Sequence, residues 1–301
     1  MTALIKPWTD DQKAAFLKAP IKFNHGMADT GLFTDENLVK LLDRWPHELY
    51  DINLFDFDAD GNTVLQTGRR GPTSGEKVLE GIKEGRVWVQ LRRVDLGYPE
   101  LAQAVRAALD GISDEASGFR AENLTAQLII SAPKAKVAYH ADAPGVILFH
   151  MRGRKRLWVY PNDEAHMPQV GMENIVLKQQ TEDLPYNRRM DDNAIAFDLN
   201  PGEALSWPLH SPHRIENLGE FNVSLSVDFQ TWESRIINGA HYANGLMRRW
   251  GVPVAPLDRT PKAARAALWA AHVALKRFNL VDDKIANLDR AFELDGKPIA
   301  A

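Results

Sequence analysis

His140, Asp142 and His213 are the residues through which this sequence can do chemistry. The first two sit in His140-Ala-Asp142, and the third closes Pro208-Leu-His-Ser-Pro-His213. On an extended strand, residues i and i+2 point to one face, so the His140 imidazole and the Asp142 carboxylate both reach a single ion. A histidine from a distant strand completes two imidazoles and one carboxylate on one side of the metal. Three positions stay open, which is the donor set of non-haem Fe(II) oxygenases. His-x-Asp alone is common, and a turn aspartate beside a core histidine explains it as well. His210 is the rival third ligand, or else a pocket-lining residue. His150 reads as a strand residue satisfied by hydrogen bonds, and His166 and His241 as loop and helix-start residues.

The elements that must position these groups follow from periodicity. Thr9-Asp-Asp-Gln12 has capping-box form, and Thr34 precedes Leu38, Leu41, Leu42 and Trp45 at helical spacing. Tyr50, Ile52 and Leu54 alternate as in a strand that ends at the turn Asp58-Ala-Asp-Gly61. A short helix around Val78, Leu79 and Ile82 leads into the strand Val87–Leu91, and a helix is expected from Pro99 to Leu109. From residue 124 the pattern changes to short strands: 124–131, 146–151, 156–160, 204–207 and 221–229. Such strands with Gly and Pro between them make a barrel or sandwich. The polar stretch 161–195 reads as a long inserted loop. In 221–229 the residues Asn222, Ser224, Ser226 and Asp228 share one face, which points inward if the barrel interior is the site.

The ungapped run from His140 through Gly153-Arg-Lys155-Arg to Tyr160-Pro161 resembles the JmjC-type cupin-like Fe(II)/2-oxoglutarate-dependent oxygenases. It is most similar to the branch containing the asparaginyl hydroxylase of hypoxia-inducible factor. Pro201-Gly-Glu-Ala-Leu-Ser-Trp-Pro208 matches that family's proline-glycine-acid strand, with its distal histidine five residues later at His213. The resemblance covers about residues 124–230. It implies an α+β chain built on a double-stranded β-helix (cupin or jelly-roll) barrel. The expected layout is an N-terminal α/β flank over 1–120, a barrel core over 121–232 and a C-terminal helical region over 233–301. It also implies Fe(II), 2-oxoglutarate and O2 as cofactor and co-substrates. Lys155 falls where the family lysine binds the far carboxylate of 2-oxoglutarate, a dianion whose remote end needs a buried cation.

The sequence departs from the family where Val137 replaces a keto-acid-binding threonine and Val146 replaces an asparagine. Tyr139, Thr125 and Gln127 are the candidates to assist Lys155. Asp228-Phe-Gln230 replaces the family's Asn-x-Trp, so Asp228 and Gln230, with Trp207 and the 161–195 loop, are expected to meet the substrate. A carboxylate there selects for a cationic group. Hydroxylation and hydroxylation followed by demethylation both stay open, on a small molecule or a protein side chain.

The chain's 301 residues carry 45% hydrophobic and 25% charged side chains, enough for a sizeable core. With no cysteine, disulfides and thiolate-ligated zinc or iron–sulfur sites are excluded. Net charge is −4 and pI about 6.2, which argues against nucleic acid as the main partner, because phosphate binding needs a basic footprint. No apolar run approaches bilayer length and the first residues lack a signal-peptide core, which makes a cytoplasmic protein the expectation. A metal-dependent cupin isomerase or keto-acid enzyme is one rival, but the His-x-His pair usual there is missing. A non-catalytic cupin binding module is the other. Finally, Thr260-Pro261 should open a helix over 261–279. Its stripe of Ala264, Ala267, Leu268, Ala271, Ala274, Leu275 and Phe278 packs on the same chain or on a second copy as a homodimer.

Overall fold

Thr9 starts α1 (Asp10–Ala15) with a reciprocal cap, its hydroxyl accepting from the Gln12 amide while the Gln12 side chain accepts from Thr9 N–H. After β1 (Ile21–Asn24), Thr34 caps α2 (Asp35–Arg44) in the same way from its hydroxyl. Then come β2 (Tyr50–Phe57), β3 (Thr63–Arg69), α3 (Gly75–Lys83), β4 (Val87–Arg92), the single turn α4 (Val94–Gly97) and α5 (Pro99–Glu115). The last of these runs beyond the expected Leu109, because Ile112 continues its buried stripe. The barrel strands are β5 (Glu122–Ser131), β6 (Lys136–His140), β7 (Gly145–Arg152) and β8 (Lys155–Val159). After α6 (Gln169–Val176) they resume with β9 (Ile195–Leu199), β10 (Glu203–Ser206), β11 (His213–Asn217) and β12 (Asn222–Gln230). Two helices, α7 (Trp232–Arg249) and α8 (Lys262–Arg277), and a short β13 (Phe292–Glu293) complete the order. This computed structural model describes residues 4–57, 63–85, 87–278 and 291–295; the turn expected at Asp58–Gly61 lies outside them.

Two sheets face each other. One runs β1-β10-β7-β12-β5-β4-β2-β3-β13, the other β6-β11-β8-β9. The N-terminal strands therefore extend the barrel's own sheet, through β1 on β10 and β4 on β5. Alternation along β12 splits the molecule into two layers. Val223, Leu225, Val227 and Phe229 join the core under α2, α3 and α5. Burial of Leu38, Leu41 and Leu42 from α2 in that core contributes roughly 1.5–3 kcal/mol each. Asn222, Ser224, Ser226 and Asp228 face the other way, between the sheets, as expected of an inward polar face. There Val146, Leu148, Leu157, Val159, Leu205 and Ile215 form a smaller apolar cluster.

Two expectations need correcting. The 161–195 stretch is not one loop: it contains α6, whose Met172 and Ile175 pack against Tyr139, Tyr160 and Met167. Thr260 does not cap α8; its hydroxyl donates to Pro256 C=O at 2.9 Å, and Pro261 holds the cap position. The stripe on α8 also divides differently. Trp269, His272 and Lys276 turn toward α7, His272 stacking on Tyr242 at 4.3 Å and Lys276 lying over the same ring. Close approach is possible because Gly239 on α7 has no side chain; a Cβ there would come within 2.6 Å of Trp269. Leu268 and Leu275 are half-buried, while Ala264, Ala267, Ala271, Ala274 and Phe278 face outward.

Candidate metal centre

His140 ends β6 directly opposite His213, which begins β11, and their rings lie 4.1 Å apart. The pairing slips by one residue between there and Val137–Ile215, leaving an extra residue on β6. Such a bulge re-aims the side chains beyond it. Here it lets both Val137 and His140 face the barrel interior, three positions apart. Asp142 lies past the end of β6, so the turn, rather than strand alternation, delivers its carboxylate. Its two oxygens stand 3.4 Å from His213 Nε2 and 3.9 Å from His140 Nε2. One donor atom from each of the three residues lies within 4.8 Å of the others.

The environment fits a divalent ion. His140 Nδ1 meets Ala138 C=O at 2.8 Å and His213 Nδ1 meets Ser211 C=O at 3.3 Å. A carbonyl accepts only, so each Nδ1 carries the proton and each Nε2 offers its lone pair to the shared point. Burial pushes the Asp142 carboxyl up, against the pull of His140, and holds the His213 imidazole well below its usual range. A desolvated carboxylate beside two imidazoles whose Nε2 atoms point at one spot is a setting that a metal cation would relieve. His210 is not part of this set. Its Nε2 is bonded to Asn238 Oδ1 at 2.7 Å, and its ring packs on His241.

Lys155 begins β8, on the inward face shared with Leu157 and Val159. Val159 is paired with His213 and Lys155 with Asn217, so the lysine lies four residues, about 13 Å along the strand, below the metal ligands. Its side chain and a five-carbon acid together close that gap. It is 3% exposed, and no hydrogen bond or ion pair joins its ammonium to another described residue. Burial alone pulls its pKa down to about 7. Nearby, His150 is fixed between Ser224 Oγ and Gly153 C=O, its pKa brought down to about 3 by burial and by Lys155.

The remaining expected residues separate into groups. Thr125 and Gln127 do face inward: Thr125 donates to Asp228 Oδ2 at 3.3 Å, and Gln127 accepts from the Gln90 amide. Asp228 is pushed up to about 7, first by burial and then by the charges of Asp142 and Glu182. Gln230 is bonded to Asn123 at the rim. Tyr139 is a correction. As the strand neighbour of the inward His140 it points outward, where its hydroxyl donates to His166 C=O at 2.8 Å and its ring packs edge-on against Tyr160. Trp207 is buried with its ring 4.4 Å from His213.

Glu182 and Asn238 had no signal in the sequence. Residues 182–184 fold back onto β6, with Ala141 N–H donating to Glu182 C=O and Leu184 N–H to Tyr139 C=O. That places the Glu182 carboxyl near Asp142, and desolvation followed by Asp142 pushes it up to about 7. Outside the mouth lies a groove of about 1040 Å³ bordered by Ala143, Glu182, Gln230, Asn238, Tyr242 and Trp269.

A family model described as a cupin-like domain matches residues 74–233. No curated protein matches the sequence. Among solved structures, the crystal structure of the Escherichia coli ribosomal oxygenase YcfD is 19% identical with a TM-score of 0.51, covering 94% of this chain and 69% of that one. A structure of YcfD with cobalt and 2-oxoglutarate is 18% identical with a TM-score of 0.50, covering 93% and 69%. At such identity the likeness is one of fold. No helix among the described residues is long and apolar enough to cross a membrane.

Proposed function

Because the chain belongs to the cupin-like domain family, we propose that it is an Fe(II)- and 2-oxoglutarate-dependent oxygenase that hydroxylates a protein side chain. The observation that carries this reading is Lys155: a buried ammonium without a carboxylate partner among the described residues, on the same interior side as His140, Asp142 and His213. A buried cation is costly unless a counter-ion meets it. The far carboxylate of 2-oxoglutarate is that counter-ion. When bound, iron and 2-oxoglutarate supply the oxidising power, with O2 divided between substrate and succinate and CO2 released.

The chain's own residues bind and orient. His140, Asp142 and His213 hold the ion on one side and leave the other to co-substrates. Trp207 steadies the His213 ring, and Val146, Leu148 and Leu157 keep water from the space between metal and Lys155. Thr125 and Gln127 lie on the same interior face and are available to the keto acid. Asp228, with Gln230 and Glu182 at the mouth, meets the substrate. The size of the outer groove supports a polypeptide segment over a small metabolite, and so does the description of YcfD as a ribosomal oxygenase.

Anaerobic addition of Fe(II) and 2-oxoglutarate should produce a visible metal-to-keto-acid charge-transfer band. No band from the wild-type chain would end the proposal. Asp228→Asn should alter turnover of the substrate while leaving uncoupled decay of 2-oxoglutarate within about threefold, a ΔΔG‡ below roughly 0.7 kcal/mol. Equal loss of both assigns Asp228 to the metal site instead.

A further inference from the structure

The three ligands come from two turns that are far apart in sequence, and one side chain ties those turns together. Asn238, in the second turn of α7, receives at its Oδ1 the His210 Nε2–H at 2.7 Å. Its amide nitrogen donates to Ala143 C=O at 2.8 Å. Ala143 follows Asp142 directly, and His210 precedes His213 by three residues, in the Pro208–Pro212 turn that feeds β11. His210, Asn238 and Ala143 thus form one hydrogen-bonded knot between the two turns.

The knot is built rather than incidental. His210 holds a left-handed backbone, φ 64°, which a non-glycine residue adopts at a cost of about 1 kcal/mol or more and keeps only when its surroundings fix it. It is buried, and burial brings its pKa down to about 4, so it is neutral and has one proton to place. The 2.7 Å contact with an acceptor oxygen places that proton on Nε2. Donor then faces acceptor along the path from His210 to Asn238 to Ala143. The same turn is held from its far side by Asn162, whose amide donates to Leu209 C=O at 2.9 Å.

We propose that Asn238 is a positioning residue for the metal centre, clamping the Asp142 turn to the His213 turn so that carboxylate and imidazole arrive at one point. It touches neither metal nor keto acid. Outer partners that orient metal ligands typically change metal affinity by about 10- to 100-fold when removed. The clamp also makes α7, outside the barrel, part of the metal site. It rests on the metal-site half of the proposed function and not on the reaction.

The probe is Co(II) alone, followed by its visible d–d bands, with apo-protein melting in parallel. Asn238→Ala should weaken Co(II) binding by about 10-fold or more and change the band intensities, because the coordination geometry relaxes. Asn238→Asp keeps the acceptor for His210 but sets a carboxylate against Ala143 C=O. It should lose Co(II) to a similar degree, and it serves alone if the alanine variant does not fold. The control is Arg248→Ala, which breaks the Arg248–Glu173 ion pair farther along α7 without touching either turn. Control binding within twofold of wild type, beside weakened Asn238 variants, supports the clamp. Unchanged affinity and bands in the Asn238 variants overturn it, as does an equal loss in the control. A wild-type chain that binds no Co(II) removes the metal-centre reading itself, whereas Co(II) binding without 2-oxoglutarate turnover removes only the reaction.

Discussion

The barrel interior has two ends of opposite character. At the mouth, Asp142, Asp228 and Glu182 crowd together, and each carboxyl is pushed up by burial and, for the last two, by its acidic neighbours. At the deep end a single ammonium, Lys155, is buried and its pKa pulled down to about 7. Without ligands both ends hold charge in surroundings that disfavour it, and with opposite sign. A cation relieves the first and a carboxylate the second. On the proposed function, a keto acid chelated to a metal would do both at once, and the two ends are spaced for one such co-substrate. The two ends should therefore fail separately.

The largest effect is expected at the mouth. His213→Ala should abolish metal binding and turnover, lowering kcat at least 1000-fold, about 4 kcal/mol of transition-state stabilisation. The fold, read by circular dichroism, should persist because the apolar cluster beneath survives. Retained Co(II) binding with His210 as substitute ligand would break the comparison.

At the deep end, Lys155→Met should raise the 2-oxoglutarate requirement by about 100-fold, or 2.7 kcal/mol, while Co(II) affinity stays within about threefold. The apo protein gives an independent reading. A lysine whose folded pKa lies below its unfolded value leaves the unfolded chain holding more protons between about pH 7 and 10.5, so stability rises with pH across that window. Below pH 7 both states are protonated and the full penalty for the buried charge is present. Lys155→Met should therefore melt higher than wild type at pH 7, and the difference should shrink as the pH approaches 10. A constant difference would mean that the ammonium is solvated.

The smallest effect sharpens the boundary of the site. Tyr139→Phe removes a hydrogen bond to His166 C=O and should cost about 1 kcal/mol of stability with no change in the 2-oxoglutarate requirement. A raised requirement would return Tyr139 to the interior.

Tyr139 also marks where sequence reasoning stops. The convergence of His140, Asp142 and His213 and the burial of Lys155 were legible because their separations along the chain match a family pattern. The strand face of β12 was legible from strict alternation. What was hidden depended on backbone irregularity. Tyr139 faces outward simply as the strand neighbour of His140, but one extra residue in β6 keeps Val137 on the interior face as well, and no residue in Lys136-Val-Ala-Tyr-His140 announces it. The strand β11 carries a single apolar residue, Ile215, too few to stand out, whereas β9, Ile195-Ala-Phe-Asp-Leu199, follows directly on the polar stretch that reads as a loop. Glu182 and Asn238 reach the site only through tertiary folding, from a polar connection and an ordinary helix. Trp207 was legible only as a residue near the pocket; its packing on the His213 ring was not.

The return of residues 182–184 onto β6 has a consequence beyond the pocket. β6 is the outermost strand of the four-stranded sheet, and an uncovered edge offers its backbone N–H and C=O groups to any passing chain. Here two of those groups are taken, at Tyr139 C=O and Ala141 N–H, on either side of His140. The segment acts as an internal guard strand. Proteolytic nicking of the exposed residues 178–181 should free that edge, and the damaged protein should associate edge to edge before it unfolds. Protection of that edge and the placement of Glu182 near Asp142 are in this way assigned to the same three residues.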